Sequence, residues 1–386
     1  MNYKKKLYDL FSRYSNTEND TENFLKRITN EHKKHTICIF GAGNAGRAAY
    51  NALTAIDVHI DFFVDNDPKK NNGNFNIHGI PCISFDQLKA YENNLIIFVA
   101  MGDAEAVINQ IQKEGYSNYL NIDKIHNKLD CCSYTIMDRI EQENKLLETY
   151  DMLNDNKSQE VFTFILKKIY DWNFISSYEE IKSENQYFDS DVVHLKNSDV
   201  LIDAGAYDGD TILDFLKISD NNFNKIYAFE LDKWNYDKLQ KNIEELPQAV
   251  AAKIMIINKG LGEKSESINY IPSNKSTVIL TDDNLNENVS LSQAELVPLD
   301  ETINDNVTFI KMDIEGAELS ALKGARHLIQ KYKPTLAICV YHKFSDLWEI
   351  PLYIKKLVPE YKIYFRHYAD CESETVCYAV IDGAVN

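Results

Sequence analysis

The chain has 386 residues, 44% hydrophobic and 26% charged, with a formal net charge of -18 at pH 7. At roughly 150 residues per domain this is enough for two domains, each with its own core. The negative excess argues against long nucleic acid and anionic membranes as partners, and no apolar run approaches the ~18 residues of a membrane span.

Residues 1–34 form a polar lead-in. The opening "MNYKKKLYDLFSRYSN" has a basic patch but no apolar stretch or small-residue cleavage site, so it predicts an amphipathic helix, not a signal peptide, and a cytoplasmic protein. Seven cysteines, an odd number without framework spacing, predict reduced thiols; adjacent Cys131 and Cys132 do not easily bridge each other. Residues 35–126 alternate strands and helices: "TICIF" runs into GAGNAG, followed by "VHIDFFVDND", "IHGIPCISFDQL", "NLIIFVAMG" and "NYLNID". This predicts a Rossmann-like domain with a parallel sheet. Residues 127–197 read as a helical connector, with Val161, Phe164, Ile165 and Ile169 on one face. Residues 198–386 repeat the alternation with "DVLIDAG", "KIYAFEL", "KIMIINKG", "VTFIKMD" and "PTLAICVYH", then end in two short strands, "YKIYFRHY" and "ETVCYAVI". The fold class is α/β, with two Rossmann-like domains.

The two glycine turns differ in charge. In the first, Gly41, Gly43 and Gly46 match the dinucleotide fingerprint, with Asn44 and Ala45 between the last two and no acid inside the turn. The helix amides would favour a phosphate there. Asp65 lies about 20 residues beyond, where a carboxylate takes ribose hydroxyls, and Asp67 follows it. These residues make a candidate site for a sugar nucleotide or NAD(P). The second turn, "VLIDAGAYDGDT", carries Asp203, Asp208 and Asp210 around Gly205 and Gly209. Carboxylates there repel a pyrophosphate but suit S-adenosylmethionine (SAM), which carries an ammonium, a sulfonium and a ribose but no phosphate. Glu230, at the end of the next strand, has the spacing to take both ribose hydroxyls.

"VLIDAGAYDGDT", "YAFELDKWNYDKLQKNI", "VPLDETI" and "FIKMDIEGAELSALKGA" resemble, in this order, the FkbM-type SAM-dependent methyltransferases. The likeness runs from about Gln186 to Val380. It implies a class I methyltransferase fold, a seven-stranded mixed sheet whose last strand is antiparallel, and methylation of hydroxyl groups, often on sugars and polyketides. Leu231 and Asp232 depart from the Pro-containing tail that often follows the ribose acid, which leaves Glu230 in place. The implied donor site comprises Asp203, Gly205, Ala206, Tyr207, Asp208, Gly209, Asp210, Thr211, Glu230, Leu231, Gly260 and Asp313. "CIFGAGNAG", "FFVDNDPKKNNG" and "IHGIPCISFDQL" resemble the small Rossmann-like domains that precede bacterial sugar acyltransferases and sugar-nucleotide epimerases.

Asp313 and Glu315 fall at the carboxyl edge of the sheet, beside the donor turn. Asp313 is expected to orient cofactor or substrate, and Asp313 or Glu315 to accept the hydroxyl proton; a first-turn helix acid is the structural alternative for Glu315. His342, at the end of "LAICVY", is an alternative base or substrate ligand. Asp313, Glu315 and His342 also meet the donor types of a divalent metal, but without a second acidic pair in register no metal is assigned. Lys311 either pairs with Asp313 or Glu315 or meets the substrate. Tyr187 and Phe188 are candidates to roof a sugar pocket, and Arg366 and His367 to face an anionic group. The reading is a SAM-dependent O-methyltransferase acting on a small carbohydrate or sugar nucleotide, in surface polysaccharide biosynthesis, with homo-oligomerisation left open. The alternatives are an NAD(P)-dependent sugar-modifying oxidoreductase centred on GAGNAG, whose first 125 residues hold no Tyr-x-x-x-Lys pair, and a binding protein that has lost catalysis.

Overall fold

Each run of buried, β-branched residues before a glycine turn becomes the inner strand of a parallel sheet. The computed structural model describes residues 4–5, 7, 10–11, 35–54, 58–91, 95–101, 104–116, 119–121, 136–170, 176–272, 278–279 and 292–381. Contacts divide the chain into two units: Met1–Tyr150, Gln159–Lys182 and Ala369–Glu372 in one, and Asp151–Ser158, Ser183–Tyr368 and Ser373–Asn386 in the other. Residues 127–150 and 159–182 of the stretch read as a connector fall in the first unit, and 151–158 and 183–197 in the second. Residues 12–34 and the Cys131–Cys132 pair lie outside the described residues. Cys38, Cys82, Cys339 and Cys377 are free thiols. No helix among the described residues is long and apolar enough to cross a membrane.

In the first unit β1 (Thr36–Phe40), β2 (Phe62–Val64), β3 (Asn76–Ile77), β4 (Ile80–Ile83), β5 (Leu95–Val99) and β6 (Tyr119–Asn121) form one sheet in the order β3-β4-β2-β1-β5-β6. All pairings are parallel except that of β3 with β4. On β1, Ile37 and Ile39 pack into one core cluster, while Cys38 and Phe40 pack into the other. Burial on both faces explains the unbroken apolar run. Helix α1 (Asn44–Thr54) follows the glycine turn.

The second unit is built on a seven-stranded sheet. It comprises β7 (Val200–Ala204), β8 (Lys225–Phe229), β9 (Ile254–Ile257), β14 (Phe309–Met312), β15 (Thr335–Cys339), β16 (Lys362–His367) and β17 (Thr375–Val380), ordered β16-β17-β15-β14-β7-β8-β9. Strand β17 runs antiparallel to both neighbours, inserted between β15 and β16. A second sheet, which the sequence pattern did not announce, joins β10 (Gly260–Leu261), β11 (Glu266–Ile271), β12 (Val278–Ile279) and β13 (Ser292–Val297) in the order β10-β13-β11-β12. Its strands are short or half polar, as in "SQAELV", so they lack the buried run that identifies a central strand.

Arg366 and His367, read from sequence as candidates to face an anionic substrate, are instead buried on β16, at 1% and 0% exposure. The Arg366 guanidinium donates to Asp155 Oδ2 at 2.6 Å and Ser158 Oγ at 3.0 Å, with its Nε 3.6 Å from Asp189 Oδ2. His367 Nδ1 lies 2.8 Å from Thr375 Oγ1. Arg366 thus ties 151–158 to β16, beside the bridge between Leu153 and Ile363. Removing one partner of a buried pair strands the other charge. We expect Arg366→Ala to destabilise this unit by about 3–5 kcal/mol, measured as a lowered urea midpoint with unchanged slope.

Candidate functional site

The carboxyl edge of β7, β8, β14 and β15 opens into a cavity of about 370 Å³, within the range of small-molecule sites. Its wall is formed by Gly205, Tyr207, Asp210, Thr211 and Asp214 from the second glycine turn and the helix α2 that it opens (Asp210–Ile218). Phe229, Glu230, Leu231 and Asn235 follow β8, and Lys259, Gly260, Leu261 and Leu296 come from the small sheet and its entry. Gln186, Tyr187, Phe188, Lys311, Asp313, Ile314, Glu315, Ala317, Tyr341 and Glu374 complete it.

The turn is folded by its glycines. Gly205 has φ +77° and Gly209 φ +93°, conformations that favour glycine. A Cβ at Gly205 would collide with the Asp313 carbonyl oxygen. Beneath the turn, Asp203 is fully buried, with Oδ1 2.9 Å from Lys311 Nζ. The same ammonium donates to the carbonyls of Gly205 at 2.7 Å and Ala204 at 3.3 Å, and lies 5.2 Å from the centre of the Tyr187 ring. Burial disfavours the Lys311 charge, but Asp203 and Asp313 outweigh it and hold the ammonium above its ordinary range.

Glu230 is the acid the spacing predicted, and it lines the cavity. Its Oε2 accepts from Tyr207 N at 2.9 Å and its Oε1 from Asp232 N at 2.8 Å. Burial, opposed by those two amides, pushes its carboxyl up to about 7. Asp232 caps the next helix, α3 (Lys233–Glu244), accepting from Trp234 N and Asn235 N.

At the other end Asp313 receives two hydroxyls: Tyr187 donates to Oδ2 at 2.9 Å and Tyr341 to Oδ1 at 3.0 Å. Glu315, at φ +56°, precedes Gly316 at φ +91°, so the helix α4 (Glu318–Lys323) starts only at Glu318. Glu315 is therefore not a first-turn helix acid. His342 Nε2 lies 3.4 Å from Asp313 Oδ1 and 3.5 Å from Glu315 Oε2, and its Nδ1 3.1 Å from Glu318 Oε1. Burial lowers the imidazole's affinity for a proton, but Glu318, Asp313 and Glu315 outweigh it and raise His342 to about 9. Burial raises Glu315, with His342 opposing, and raises Glu374, with Asp313 adding to the effect.

Of the expected donor residues, Gly205, Tyr207, Asp210, Thr211, Glu230, Leu231, Gly260 and Asp313 line the cavity. Asp203, Ala206, Asp208 and Gly209 do not. Asp203 holds Lys311, Ala206 is in the core, Asp208 pairs with Lys238 Nζ at 2.6 Å, and Gly209 ends the turn against Leu239. Asp313 and Glu315 line the cavity, and His342 stands behind them. Glu318 is the residue sequence reasoning missed: it is fully buried, and its Oε1 accepts from Ile314 N at 2.8 Å. Its signal was the third acid of "DIEGAE". Glu374, on the turn before β17, left no signal.

In the first unit Gly41 has φ +111°, and a Cβ at Gly46 would collide with the Gly41 carbonyl. Gly43 is open except for Lys70 Nζ, 4.0 Å from where its Cβ would be, and Asn44 and Ala45 begin α1. Asp65 does not stand free for a ribose. Its Oδ2 accepts from Ala42 N at 2.8 Å and pairs with Lys70 Nζ at 3.1 Å, and its Oδ1 accepts from Asp67 N at 2.9 Å. Burial pushes this carboxyl up, but the two amides and Lys70 outweigh it and hold it below the usual carboxylate range. Asp67 accepts from Lys69 N at 2.9 Å.

Residues 203–364 match the methyltransferase FkbM domain, and residues 32–125 match the CoA binding domain. The chain is similar over 98% of its length to methyltransferase FkbM from Methylobacillus flagellatus, covering 99% of that chain at 21% identity and a TM-score of 0.77, which shows a shared fold. An rRNA methylase from Streptococcus thermophilus matches 49% of this chain and 90% of its own, at 13% identity and a TM-score of 0.31. A precorrin-6y C5,15-methyltransferase from Geobacter metallireducens matches 52% and 93%, at 10% identity and a TM-score of 0.31. No curated protein matches at a significant level.

The Asp203 and Lys311 pair yields a test of its structural part. Lys311→Met should strand the Asp203 charge and cost about 3–5 kcal/mol, whereas Lys311→Met with Asp203→Leu should recover much of that loss. Urea unfolding of the two variants checks this; equal losses would mean that the pair is not the support of the turn.

Proposed function

We propose that the chain, which carries a methyltransferase FkbM domain at residues 203–364 and a Rossmann-like CoA binding domain at residues 32–125, is a SAM-dependent O-methyltransferase acting on a hydroxyl of a carbohydrate. The observation that carries this reading is one cavity with two unlike ends. The acids Asp210, Asp214 and Glu230 surround a glycine cradle at one, and Asp313 and Glu315 stand at the other.

The cavity's chemistry fits SAM. Carboxylates at the glycine turn suit an ammonium and a sulfonium, and Glu230, with both oxygens already oriented by backbone amides, retains lone pairs for ribose hydroxyls. Gly260, whose Cβ would meet Leu231 and Leu296, gives the cradle a close backbone wall. Bound SAM supplies an electrophilic methyl group on a sulfonium. Transfer consumes that positive charge, so the chain's task is mostly alignment and exclusion of water. Asp313, held by Tyr187 and Tyr341, orients the acceptor; Glu315 on the cavity wall takes the hydroxyl proton as the oxygen binds the methyl carbon and the carbon–sulfur bond breaks. The aromatic faces of Tyr187, Phe188 and Tyr341 suit the apolar face of a sugar ring. The N-terminal unit is proposed to hold the nucleotide of a sugar-nucleotide acceptor at Gly41–Gly46, where Lys70 Nζ stands near Gly43; linkage to the transferase would then raise the local acceptor concentration.

Glu315→Gln should lower kcat by about 10²–10⁴-fold with S-adenosylhomocysteine affinity nearly unchanged. An unchanged kcat overturns Glu315 as the base. Glu230 supplies the pH dependence. Its carboxyl is raised by burial and by Asp232 and lowered by Lys311 and the amides of Tyr207 and Asp232, so folding favours its protonated form and ionising it costs stability as pH rises from about 4.5 to about 7. Ribose hydroxyls need the ionised form, and the affinity for S-adenosylhomocysteine should run the other way, about tenfold weaker at pH 6 than at pH 8. Calorimetric titration at the two pH values measures this, and a flat profile, or the same profile in Glu230→Gln, would remove Glu230 from the donor site.

A further inference from the structure

The acceptor end of the cavity holds more negative charge than transfer to a neutral hydroxyl requires. One oxygen of Asp313, one of Glu318 and one ring nitrogen of His342 lie within 4.8 Å of one another. Ligands sharing one ion at bonds of ~2.0–2.2 Å stand at most ~4.4 Å apart, so small side-chain movements bring these three atoms onto one ion. Two buried side chains in this cluster carry atoms without an aligned hydrogen bond. The His342 side chain is only 10% exposed, and its ring nitrogens meet Glu318, Asp313 and Glu315 as ion-pair contacts at 3.1–3.5 Å, none of them an aligned hydrogen bond. Glu318 is fully buried, and its Oε2 has no partner. Leaving such groups unmade is costly, and the cost calls for a ligand. Both nearby lysines are engaged elsewhere, Lys311 with Asp203 and Lys343 with the Gly316 carbonyl, so in the absence of an ion His342 alone, among the described residues, faces the three acids Asp313, Glu315 and Glu318.

We propose that Asp313, Glu318 and His342 form a binding site for one divalent cation at the acceptor end of the cavity. One imidazole with two carboxylates is a mixed nitrogen and oxygen set, suited to Mn²⁺ through its carboxylates and to Zn²⁺, which such a set binds more tightly. Three protein ligands would leave positions on the ion for water or the acceptor, and of the residues named here Asp313 and Glu315 line the cavity. The role follows from the methyltransferase reading and rests on it: a Lewis acid here lowers the cost of moving the acceptor's hydroxyl proton to Glu315. Tyr187 and Tyr341, both donating to Asp313, fix the carboxylate's orientation as outer partners do in metal sites.

The test is Mn²⁺ titration of the full chain after chelator treatment and dialysis, with free Mn²⁺ followed by electron paramagnetic resonance. S-adenosylhomocysteine binding is measured on the same samples. The expected result is one saturable Mn²⁺ site per chain, weakened by more than about tenfold in both His342→Ala and Glu318→Gln, with Zn²⁺ competing. Because Glu318→Gln alters a buried group, His342→Ala and a retained thermal transition guard against misfolding as the cause. Intact S-adenosylhomocysteine binding with no saturable Mn²⁺ or Zn²⁺ site overturns the metal and leaves the methyltransferase reading standing. A metal site without S-adenosylhomocysteine binding does the reverse. Equal Mn²⁺ affinity in parent and variants places the ion elsewhere and overturns the assignment.

Discussion

The buried contact between Asp203 and Lys311 is the constraint on which the second unit's site depends. The two residues face each other directly across β7 and β14, and in a low-dielectric interior neither charge is tolerable alone. Once formed, the pair spends the ammonium's other hydrogens on the carbonyls of Ala204 and Gly205. The glycine turn is thereby tied from below, while its upper side faces the cavity. The same ammonium lies over the Tyr187 ring, whose hydroxyl donates to Asp313. One ion pair thus reaches both the cradle and the acceptor acid through single contacts.

The two units share a second device. In each, the acid that follows the second strand reaches back to an amide of the glycine turn: Asp65 to Ala42 N at 2.8 Å, and Glu230 to Tyr207 N at 2.9 Å. The spacing of about 20 residues, known for holding ribose, therefore also closes the turn without any ligand. What separates the units is what remains of each carboxylate. Lys70 neutralises Asp65 on the surface of its own loop, whereas Glu230 has only amides as close partners and stays on a cavity wall. The same spacing therefore leaves one acid spent and the other available.

These distinctions set the limit of what the sequence made legible. The long apolar strands and both glycine turns were readable because strands buried on two faces leave unbroken signals, and the antiparallel closing strand followed from the resemblance at the chain's end. Asp203 read as a turn acid because nothing local says that Lys311, more than a hundred positions away, will stand opposite it; that pairing is decided by strand order. Glu318 was passed over because the helix was expected to open near Glu315. The left-handed conformation at Glu315 and Gly316 delays it to Glu318, whose side chain is fully buried. The small sheet escaped because a two-residue strand carries no period.

That left-handed pair also says what the site was built to control. A non-glycine residue at positive φ costs roughly 1–2 kcal/mol, and here the residue bearing the cost is Glu315, on the cavity wall. In this conformation its carboxylate lies 3.5 Å from His342 Nε2. Opposite this turn, Gly205 presses its bare backbone against the Asp313 carbonyl, a contact that any side chain would forbid. The strained turn fixes the backbone that carries Glu315, and the bare Gly205 lets the second glycine turn close against Asp313. On the proposed methyl-transfer reading, both would serve a displacement that depends on alignment of its reacting atoms, with backbone geometry fixing what flexible side chains alone would leave loose.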